Sequence, residues 1–254
     1  MAEGYELLKA KVPDFQTPWK AAAILVSWVL LFTMCMMFFW WFDSFVGYAP
    51  LISQSIAAGV CSGLAYLHMK NAQSYRIKHK ELAYRYFFFH YIVPIFAVWY
   101  AMVFHPLLVS GESLFPSWIA VVIGILLLLL RPLTAAHIRK SGFDTIGHGF
   151  GIYTVYPEEG PHVSSEIYSY IRHPMYLGTF CAALGFAFLR NNVIAITVAL
   201  IFLIPTRIET RFEDNELIKR FGQEQRKYIA ETGALFPHKN VIQFFKLLLL
   251  GKSG

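Results

Sequence analysis

Residues 168–178 read YSYIRHPMYLG and place an Arg-His-Pro triplet at the threshold of an apolar segment. After more hydrophobic sequence, residues 207–238 read RIETRFEDNELIKRFGQEQRKYIAETGALFPH. Ionisable residues at the edge of a membrane segment are functional candidates, since burying them beside lipid costs free energy. A cationic pair followed by a carboxylate-bearing helix therefore predicts a small charged ligand held at the bilayer surface, which favours an enzyme.

The composition is typical of a membrane protein. Hydrophobic residues occupy 56% of the 254 positions and charged residues 15%, whereas soluble domains average about 25% charged residues. The formal net charge of +6 indicates a bias toward the cytoplasmic side and not nucleic-acid binding. Cys35, Cys61 and Cys181 lie in separate apolar runs, and no His/Cys motif has metal-ligand spacing, so we expect no bound metal.

Six apolar segments predict membrane spans, because a helix needs about twenty residues to cross the hydrocarbon core. The last two are short and separated only by Arg190-Asn191-Asn192, which predicts a helical hairpin whose ends continue into polar sequence. We expect residues 164–171 to supply part of the missing length. The fold class is all-α, a polytopic membrane bundle of about six transmembrane helices with a C-terminal cytoplasmic capping helix. The segments are residues 21–42, 48–69, 86–109, 116–133, 174–189 and 193–205.

Loop charges predict the orientation of these spans. Lys and Arg are concentrated in the N-terminal tail, in residues 70–85, in residues 139–172 and in the C-terminal tail, whereas the turn at Arg190 carries one and the loops around Asp43 and Glu112 carry none. The positive-inside rule then places both termini in the cytoplasm. The two polar segments that hold the candidate functional residues, residues 137–173 and 207–238, lie on the same side. A bacterial inner membrane and the endoplasmic reticulum are both compatible with this sequence.

The chain is predicted to form one membrane domain, because neither a repeat nor a low-complexity linker divides it. Residues 1–136 form a four-helix part, and residues 137–238 hold a cytoplasmic loop, the hairpin and the cap. Residues 239–254 form a tail that is too short to span and is expected to lie along the membrane interface.

The Arg-His-Pro triplet is the sharpest candidate for a functional site. Pro174 suits the first turn of a helix, where a missing N–H costs nothing. Arg172 and His173 would then lie at the entrance of that helix, at headgroup depth, with the polar tips of Tyr168 and Tyr176 beside them. The alternative is an arginine that reaches lipid phosphates and a histidine that caps a turn.

Three glutamates follow the last apolar segment with helical spacing. Glu209, Glu213 and Glu216 occupy positions i, i+4 and i+7 and therefore share one face. Like charges at this spacing repel. The glutamates are therefore expected either to pair with arginines such as Arg207 or to hold a cationic or hydroxyl-rich ligand.

Further candidates lie before the triplet. Gly147 and Gly149 would let the backbone approach a ligand and offer N–H groups to an anion, although a flexible loop would have the same sequence. Arg131 lies near the cytoplasmic end of the fourth span, where it either binds a ligand or reaches the interface. Of the nearby histidines, His162 is a better general-base candidate than His148.

At these residues the chain resembles the integral-membrane methyltransferases, a family that includes isoprenylcysteine carboxyl methyltransferase and the phospholipid N-methyltransferases. The resemblance covers residues 142–238. Its specific part is RHPMY and a following Gly, a hairpin, then ED-x-x-L-x-x-x-FG, a Tyr and a closing Pro. The N-terminal spans match the family only in being apolar membrane segments.

The resemblance implies S-adenosylmethionine as the cofactor, bound between the last membrane helices and the cap. It implies that Glu213 holds the cofactor and that Arg172 orients an acidic group of the acceptor, with His162 or His173 as the base for an amine. Asp214 stands where the family has a second Glu. The implied cofactor-binding residues are Gly147, Gly149, His173, Pro174, Tyr176, Glu213 and Asp214. The predicted catalytic residues are Arg172, His162 and Tyr168, and the predicted acceptor-binding residues are Arg131, Glu209 and Arg207.

The predicted acceptor is a membrane lipid or lipidated substrate within the bilayer. A phospholipid amine is slightly favoured, because Gly-x-Gly and Phe-Gly-Ile at residues 150–152 resemble that branch. An isoprenylated cysteine carboxylate is the close alternative, since RHP and the Arg-rich cap resemble that branch. A small thiol or another lipophilic metabolite is a third alternative for the acceptor. The alternatives to a methyltransferase are an NADPH-dependent sterol-type reductase, which would need a basic cluster around Arg211 and Lys219, and a non-catalytic relative.

Overall fold

The computed structural model describes residues 2–143 and 150–251, with side chains from residue 4 onward. This part of the chain is helical and contains no strand beyond a single parallel bridge between Ile171 and Gly233. The predicted all-α class is confirmed. The helices are α1 (Ala2–Lys11), α2 (Pro18–Asp43), α3 (Ala49–His79), α4 (Ala83–Phe87), α5 (Val93–Phe104), α6 (Ser117–Lys140), α7 (Ile152–Val155), α8 (Pro174–Arg190), α9 (Val193–Ile201), α10 (Leu203–Phe221), α11 (Gln223–Glu231) and α12 (Val241–Leu250).

Four stretches in the described part of the chain are long and apolar enough to cross a membrane. The longest holds two legs, because the chain reverses near Lys80, whose φ is 47°, and α4 and α5 pack back on α3. The shorter apolar α8 packs along α6. The six apolar segments therefore correspond to helical legs of one membrane bundle, as predicted. The four stretches are Pro18–Asp43, Ala49–Leu108, Ser117–Lys140 and Val193–Phe221.

Glycines allow α6 and α8 to approach closely. A Cβ added to Gly124 would lie 3.0 Å from the carbonyl oxygen of Gly185, and one added to Gly185 would lie 2.9 Å from the carbonyl oxygen of Gly124. Farther toward the start of α8, Gly178 faces Arg131 and Thr134 of α6 in the same way. Small residues are common where membrane helices pack, since close backbone contact replaces the hydrophobic driving force. This contact sets the position of Arg131 relative to α8.

A buried polar network joins α2, α3, α5 and α9 near the start of α3. The ring of His105 lies 2.9 Å from Gln54 Oε1 through Nδ1 and 2.6 Å from Asp43 Oδ2 through Nε2. The side-chain amide of Gln54 donates to the carbonyl oxygens of Met102 and Val198 at 3.3 and 3.1 Å. A network whose members all have partners fixes the relative positions of the helices.

The predicted hairpin between α8 and α9 is present, and α9 runs almost directly into α10. Asn191 takes a left-handed conformation with φ 53°, and the side chain of Asn192 accepts a hydrogen bond from Ala195 N at 2.8 Å. The expectation that residues 164–171 would extend α8 was wrong. The residue before a proline avoids helical backbone angles, and His173 accordingly has φ −125° and ψ 61° before Pro174.

The polar segments meet at one end of the bundle. Lys11 of α1 pairs with Glu159 at 2.6 Å, and Arg76 of α3 pairs with Glu158 at 2.5 Å. The N-terminal helix, the end of α3 and the loop before α8 are therefore neighbours, as the loop-charge pattern requires. The side of the membrane that this end faces stays a prediction.

The C-terminal α12 packs against the end of α6 and against the segment before α8. Phe244, Leu247 and Leu248 are buried beside Ile138 and Ile167. Exposed apolar side chains cover the other face of α12. The expected position of this tail along the membrane interface is compatible with that arrangement and stays a prediction.

We expect Gly185→Ala to destabilise the bundle, because the new Cβ would lie 2.8 Å from Leu128 Cγ and 2.9 Å from the carbonyl oxygen of Gly124. Overpacking of this kind costs about 1–3 kcal/mol. Thermal unfolding of the detergent-solubilised protein measures the effect. Gly63→Ala in α3 is the matched control, because nothing lies within 4 Å of a Cβ there. Equal melting temperatures for the two variants would contradict the prediction.

Candidate active site

A cavity of about 240 Å³ lies between α3, α5, α6, α8 and α10 and is bordered by α11 and by the loop that follows α7. Most of the residues that the sequence singles out line it, although they come from separate parts of the chain. The structure therefore forms one site from three parts: the Arg-His-Pro triplet, the glutamate-bearing face of α10, and the cap. The cap consists of α11 and the residues that follow it up to position 237. The polar side chains of its wall include those of His68, Arg131, His162, Tyr168, Arg172, His173, Tyr176, Glu209, Glu213, Glu216, Arg220, Gln225 and Tyr228.

Backbone hydrogen bonds fix the Arg-His-Pro triplet to the end of the cap. Arg172 N donates to the carbonyl oxygen of Gly233 at 2.8 Å, and His173 N donates to that of Ala234 at 3.0 Å. These bonds are available because the extended residues before Pro174 do not use their N–H groups in a helix. A Cβ at position 233 would overlap the carbonyl oxygen of Phe236, so this close approach requires glycine.

The guanidinium of Arg172 is held within the protein. Its Nη2 and Nε donate to the two carboxylate oxygens of Asp214 at 2.9 and 3.1 Å. Its Nη1 donates to the carbonyl oxygen of Ile229 at 3.2 Å and to that of Thr232. Because most of its donors are engaged, this geometry gives Arg172 the position of a clamp between α8, α10 and the cap.

His173 bridges the two acids of α10. Its Nδ1 lies 2.9 Å from Glu213 Oε2, and its Nε2 lies 3.1 Å from Asp214 Oδ1. Burial alone would lower the pKa of His173, but the hydrogen bonds to Asp214 and Glu213 outweigh it and raise the pKa to about 9. Only a protonated imidazole donates from both ring nitrogens. The hydroxyl of Tyr176 donates to Glu213 Oε1 at 2.6 Å and completes the support of this carboxylate.

On the side of the cavity formed by α10 and α11, two polar atoms of the wall lack partners. Glu209 Oε2 and Gln225 Nε2 are buried without a hydrogen bond to any residue that the structure describes. Such atoms cost free energy unless a ligand or water bonds them. The other amide atom of Gln225, Oε1, lies 2.9 Å from His162 Nε2. The sequence carried no signal for Gln225, because a glutamine on a short charged helix is normally solvated.

The two arginines expected to bind the acceptor have different surroundings. Arg131 lines the cavity from α6, and its guanidinium makes neither a hydrogen bond nor an ion pair with the described residues, whereas its carbonyl oxygen accepts from the Thr134 hydroxyl at 2.9 Å. Arg207 is exposed and lies outside the cavity wall. It precedes Glu209 by two positions, which on a helix is about 200° around the axis, so the two side chains point in nearly opposite directions. The geometry does not support Arg207 as an acceptor-binding residue.

Tyr168 contributes a buried phenol to the cavity wall, with 7% of the residue exposed. Burial raises its pKa above the ordinary value for tyrosine, so the hydroxyl stays protonated. Its backbone carbonyl accepts a hydrogen bond from the hydroxyl of Tyr228 at 2.6 Å. Tyr168 can therefore act as a neutral hydrogen-bond donor and not as a base.

Part of the sequence prediction falls elsewhere. Gly147 and Gly149, together with His148, lie outside the described residues, so the Gly-x-Gly element stays a prediction. The nearby Gly151 is described, lines the cavity and has a left-handed φ of 67°. Among the residues described, no three His, Cys, Asp or Glu side chains form a cluster that could hold a metal ion.

The raised pKa of His173 predicts a stability that depends on pH. A histidine in an unfolded chain titrates near 6.5, whereas the pKa of His173 in the fold is about 9. Protonation therefore stabilises the fold fully below the unfolded pKa, by roughly 3 kcal/mol at most, and this contribution is lost as the pH rises through about 9. Between pH 7 and pH 10 the melting temperature of the wild type should fall more steeply than that of His173→Gln. Parallel curves would contradict this assignment.

In a comparison with known proteins, residues 119–224 match the model of a family described as phospholipid methyltransferase. The chain is also 32% identical over 121 residues to protein-S-isoprenylcysteine O-methyltransferase from Saccharomyces cerevisiae (strain ATCC 204508 / S288c). That match covers 46% of this chain and 48% of the relative, so the chain spans about half the length of the curated relative. No solved structure gives a significant match. The resemblance to the integral-membrane methyltransferases is confirmed for residues 119–224, which carry most of α6 and all of α7 to α10.

Proposed function

We propose that the protein transfers a methyl group from S-adenosylmethionine to the carboxylate of a lipophilic acceptor in the membrane. The observation that supports this proposal most directly is the arrangement of charged side chains in the cavity. The acidic side chains of Glu209 and Glu213 line it from α10, and Arg131, whose guanidinium has no partner among the described residues, lines it from α6. Charged side chains beside a membrane are retained where they face a ligand. A cationic methyl donor and an anionic acceptor are the pair of ligands that match these signs.

The residues present fit S-adenosylmethionine. The unpartnered Glu209 Oε2 offers an acceptor for an amino or hydroxyl group, and the unpartnered Gln225 Nε2 offers a donor. Glu213 would add a second carboxylate, whose orientation is fixed by Tyr176 and His173. When bound, the cofactor supplies an electrophilic sulfonium methyl that passes to the acceptor. The contribution of the protein is therefore to bind, orient and exclude water.

A carboxylate acceptor is favoured over the phospholipid amine that the sequence slightly preferred. The curated relative is named for O-methylation of isoprenylcysteine. An amine must lose a proton when it is methylated and needs a base, whereas a carboxylate does not. His173 is a poor base, because its pKa of about 9 keeps it protonated at neutral pH. Arg131 supplies a cation for the carboxylate, and charge-assisted bonds of this type are strong.

Arg172 acts in this proposal as a positioning residue. Its bonds to Asp214 and to the carbonyl oxygens of the cap hold α8, α10 and α11 together. The cap then borders the cavity, with Gln225 aimed into it. A clamp of this kind keeps the cofactor-binding groups in place before the acceptor arrives, which reduces the entropy that is lost on binding.

The cap offers little support for a dinucleotide-dependent reductase. Arg211, Lys219, Arg226 and Lys227 are exposed and lie outside the described wall of the cavity. Arg220 reaches the cavity, but its guanidinium bonds the carbonyl oxygen of Gly160 at 2.6 Å and lies 3.4 Å from Glu216. A 2′-phosphate would therefore meet no free basic cluster among these side chains.

Glu213→Gln should weaken cofactor binding, because it removes the charge that would hold the donor. Loss of a charge-assisted hydrogen bond lowers affinity by about tenfold to a hundredfold. Calorimetric titration of the detergent-purified protein with S-adenosylhomocysteine measures the change. The matched control is Glu231→Gln at the exposed end of α11, which should bind like the wild type. A folded wild type that binds no S-adenosylhomocysteine would refute the proposed function.

Arg131→Gln should weaken binding of the acceptor and leave binding of the cofactor unchanged. In nanodiscs with labelled S-adenosylmethionine, we expect methylation of N-acetyl-S-farnesylcysteine and not of phosphatidylethanolamine. The substitution should raise KM for the farnesylcysteine by about tenfold or more and leave the affinity for S-adenosylhomocysteine unchanged. Arg139→Gln, exposed on the same helix, is the control. Methylation of the phospholipid alone would exclude the carboxylate as the acceptor group.

A further inference from the structure

His68 of α3 is a buried histidine whose ring faces the cavity. Only 5% of the residue is exposed, and it lines the cavity wall. Neither Nδ1 nor Nε2 has a hydrogen-bond partner among the residues that the structure describes. Buried polar groups in proteins are nearly always bonded. A buried imidazole with both nitrogens free therefore indicates a ligand that supplies the missing partner.

The surroundings of His68 hold the ring in place without satisfying it. The ring of Phe87 lies 4.8 Å from that of His68, centroid to centroid, and the ring of Tyr91 lies at 6.5 Å. Gly151 approaches from the other side, and a Cβ at that position would lie 3.2 Å from His68 Nε2. A side chain there would crowd this nitrogen, and the glycine avoids that contact.

The wall next to His68 is apolar. It belongs to α3 and to the leg of α4 and α5, where residues Phe88–Ile92 form a turn of π-helix. Such turns add a residue to the helix and are frequent at functional sites. This surface suits a hydrocarbon chain and contrasts with the acidic α10 wall of the same cavity. The apolar side chains are those of Met69, Ile92, Ile95, Phe96, Trp99 and Tyr100.

We infer that His68 binds the polar end of the acceptor, while the apolar wall of α3 and α5 holds its hydrocarbon chain. The inference rests on the proposed function and adds a residue that determines acceptor specificity. His68 lies outside the matched residues 119–224, so the N-terminal half of the chain contributes to the acceptor side of the site together with Arg131. The imidazole donates a hydrogen bond to an oxygen of the acceptor and takes no part in proton transfer, since a carboxylate releases no proton on methylation.

Two substitutions of His68 separate recognition from packing. His68→Leu removes both ring nitrogens, and we expect it to weaken binding of N-acetyl-S-farnesylcysteine to the detergent-purified protein by about tenfold. His68→Gln keeps a donor and should retain affinity within about threefold of the wild type. Binding of S-adenosylhomocysteine should be unchanged in both. His238→Leu, at an exposed position outside the cavity wall, is the control.

The outcomes distinguish this inference from the proposed function. Equal affinity of the wild type and His68→Leu for the farnesylcysteine would overturn the inference, and so would a parallel loss of S-adenosylhomocysteine binding. A wild type that binds S-adenosylhomocysteine but not the farnesylcysteine would also overturn it and leave the cofactor assignment standing. A farnesylcysteine affinity that depends on His68 in a protein without cofactor affinity would support the acceptor site and refute methyl transfer. In turnover assays, the effect of His68→Leu should appear in KM and not in kcat.

Discussion

The bridge formed by His173 between Glu213 and Asp214 is the interaction on which the rest of the site depends. Pro174 makes it possible, since a residue before proline leaves the helical region and frees its backbone N–H. That N–H bonds the end of the cap, while the ring bonds both acids of α10. Three segments that are separate in sequence therefore meet at one residue, His173. Arg172 and Tyr176 then fix the remaining oxygens of the same two carboxylates.

The parts of the fold that follow from local sequence were predictable. Apolar length predicts helices in a membrane because backbone polar groups must be bonded within the segment. Helical periodicity alone places Glu209, Glu213 and Glu216 on one face, and all three line the cavity. The hairpin follows from two asparagines, which suit a left-handed residue and a helix cap. The segment before Pro174 does not extend α8, because the proline restricts the backbone of His173. The pattern of apolar residues carries no information about this local effect.

Properties that depend on distant partners were not predictable. From the sequence alone, Arg172 is predicted to bind a ligand. The structure shows instead that it bonds Asp214 and the carbonyl oxygens of the cap, which lie far from it in the sequence. His68 and His105 are both histidines in apolar runs and give the same signal in sequence. In the structure, His105 bonds Gln54 and Asp43, whereas His68 has no partner among the described residues. The first stabilises the bundle. The second is proposed to contact the acceptor, because burial without a partner is costly unless a ligand relieves it.

The arrangement of charge in the cavity also bears on the release of products. The acceptor carboxylate would be held by Arg131, and the sulfonium donor would lie beside the carboxylates of α10. In the proposed reaction the acceptor becomes a neutral ester, so the attraction between Arg131 and its ligand is lost. The donor loses its sulfonium charge at the same moment. Both products therefore interact more weakly with the site than the substrates do, and the charges that bring the substrates together do not retain the products.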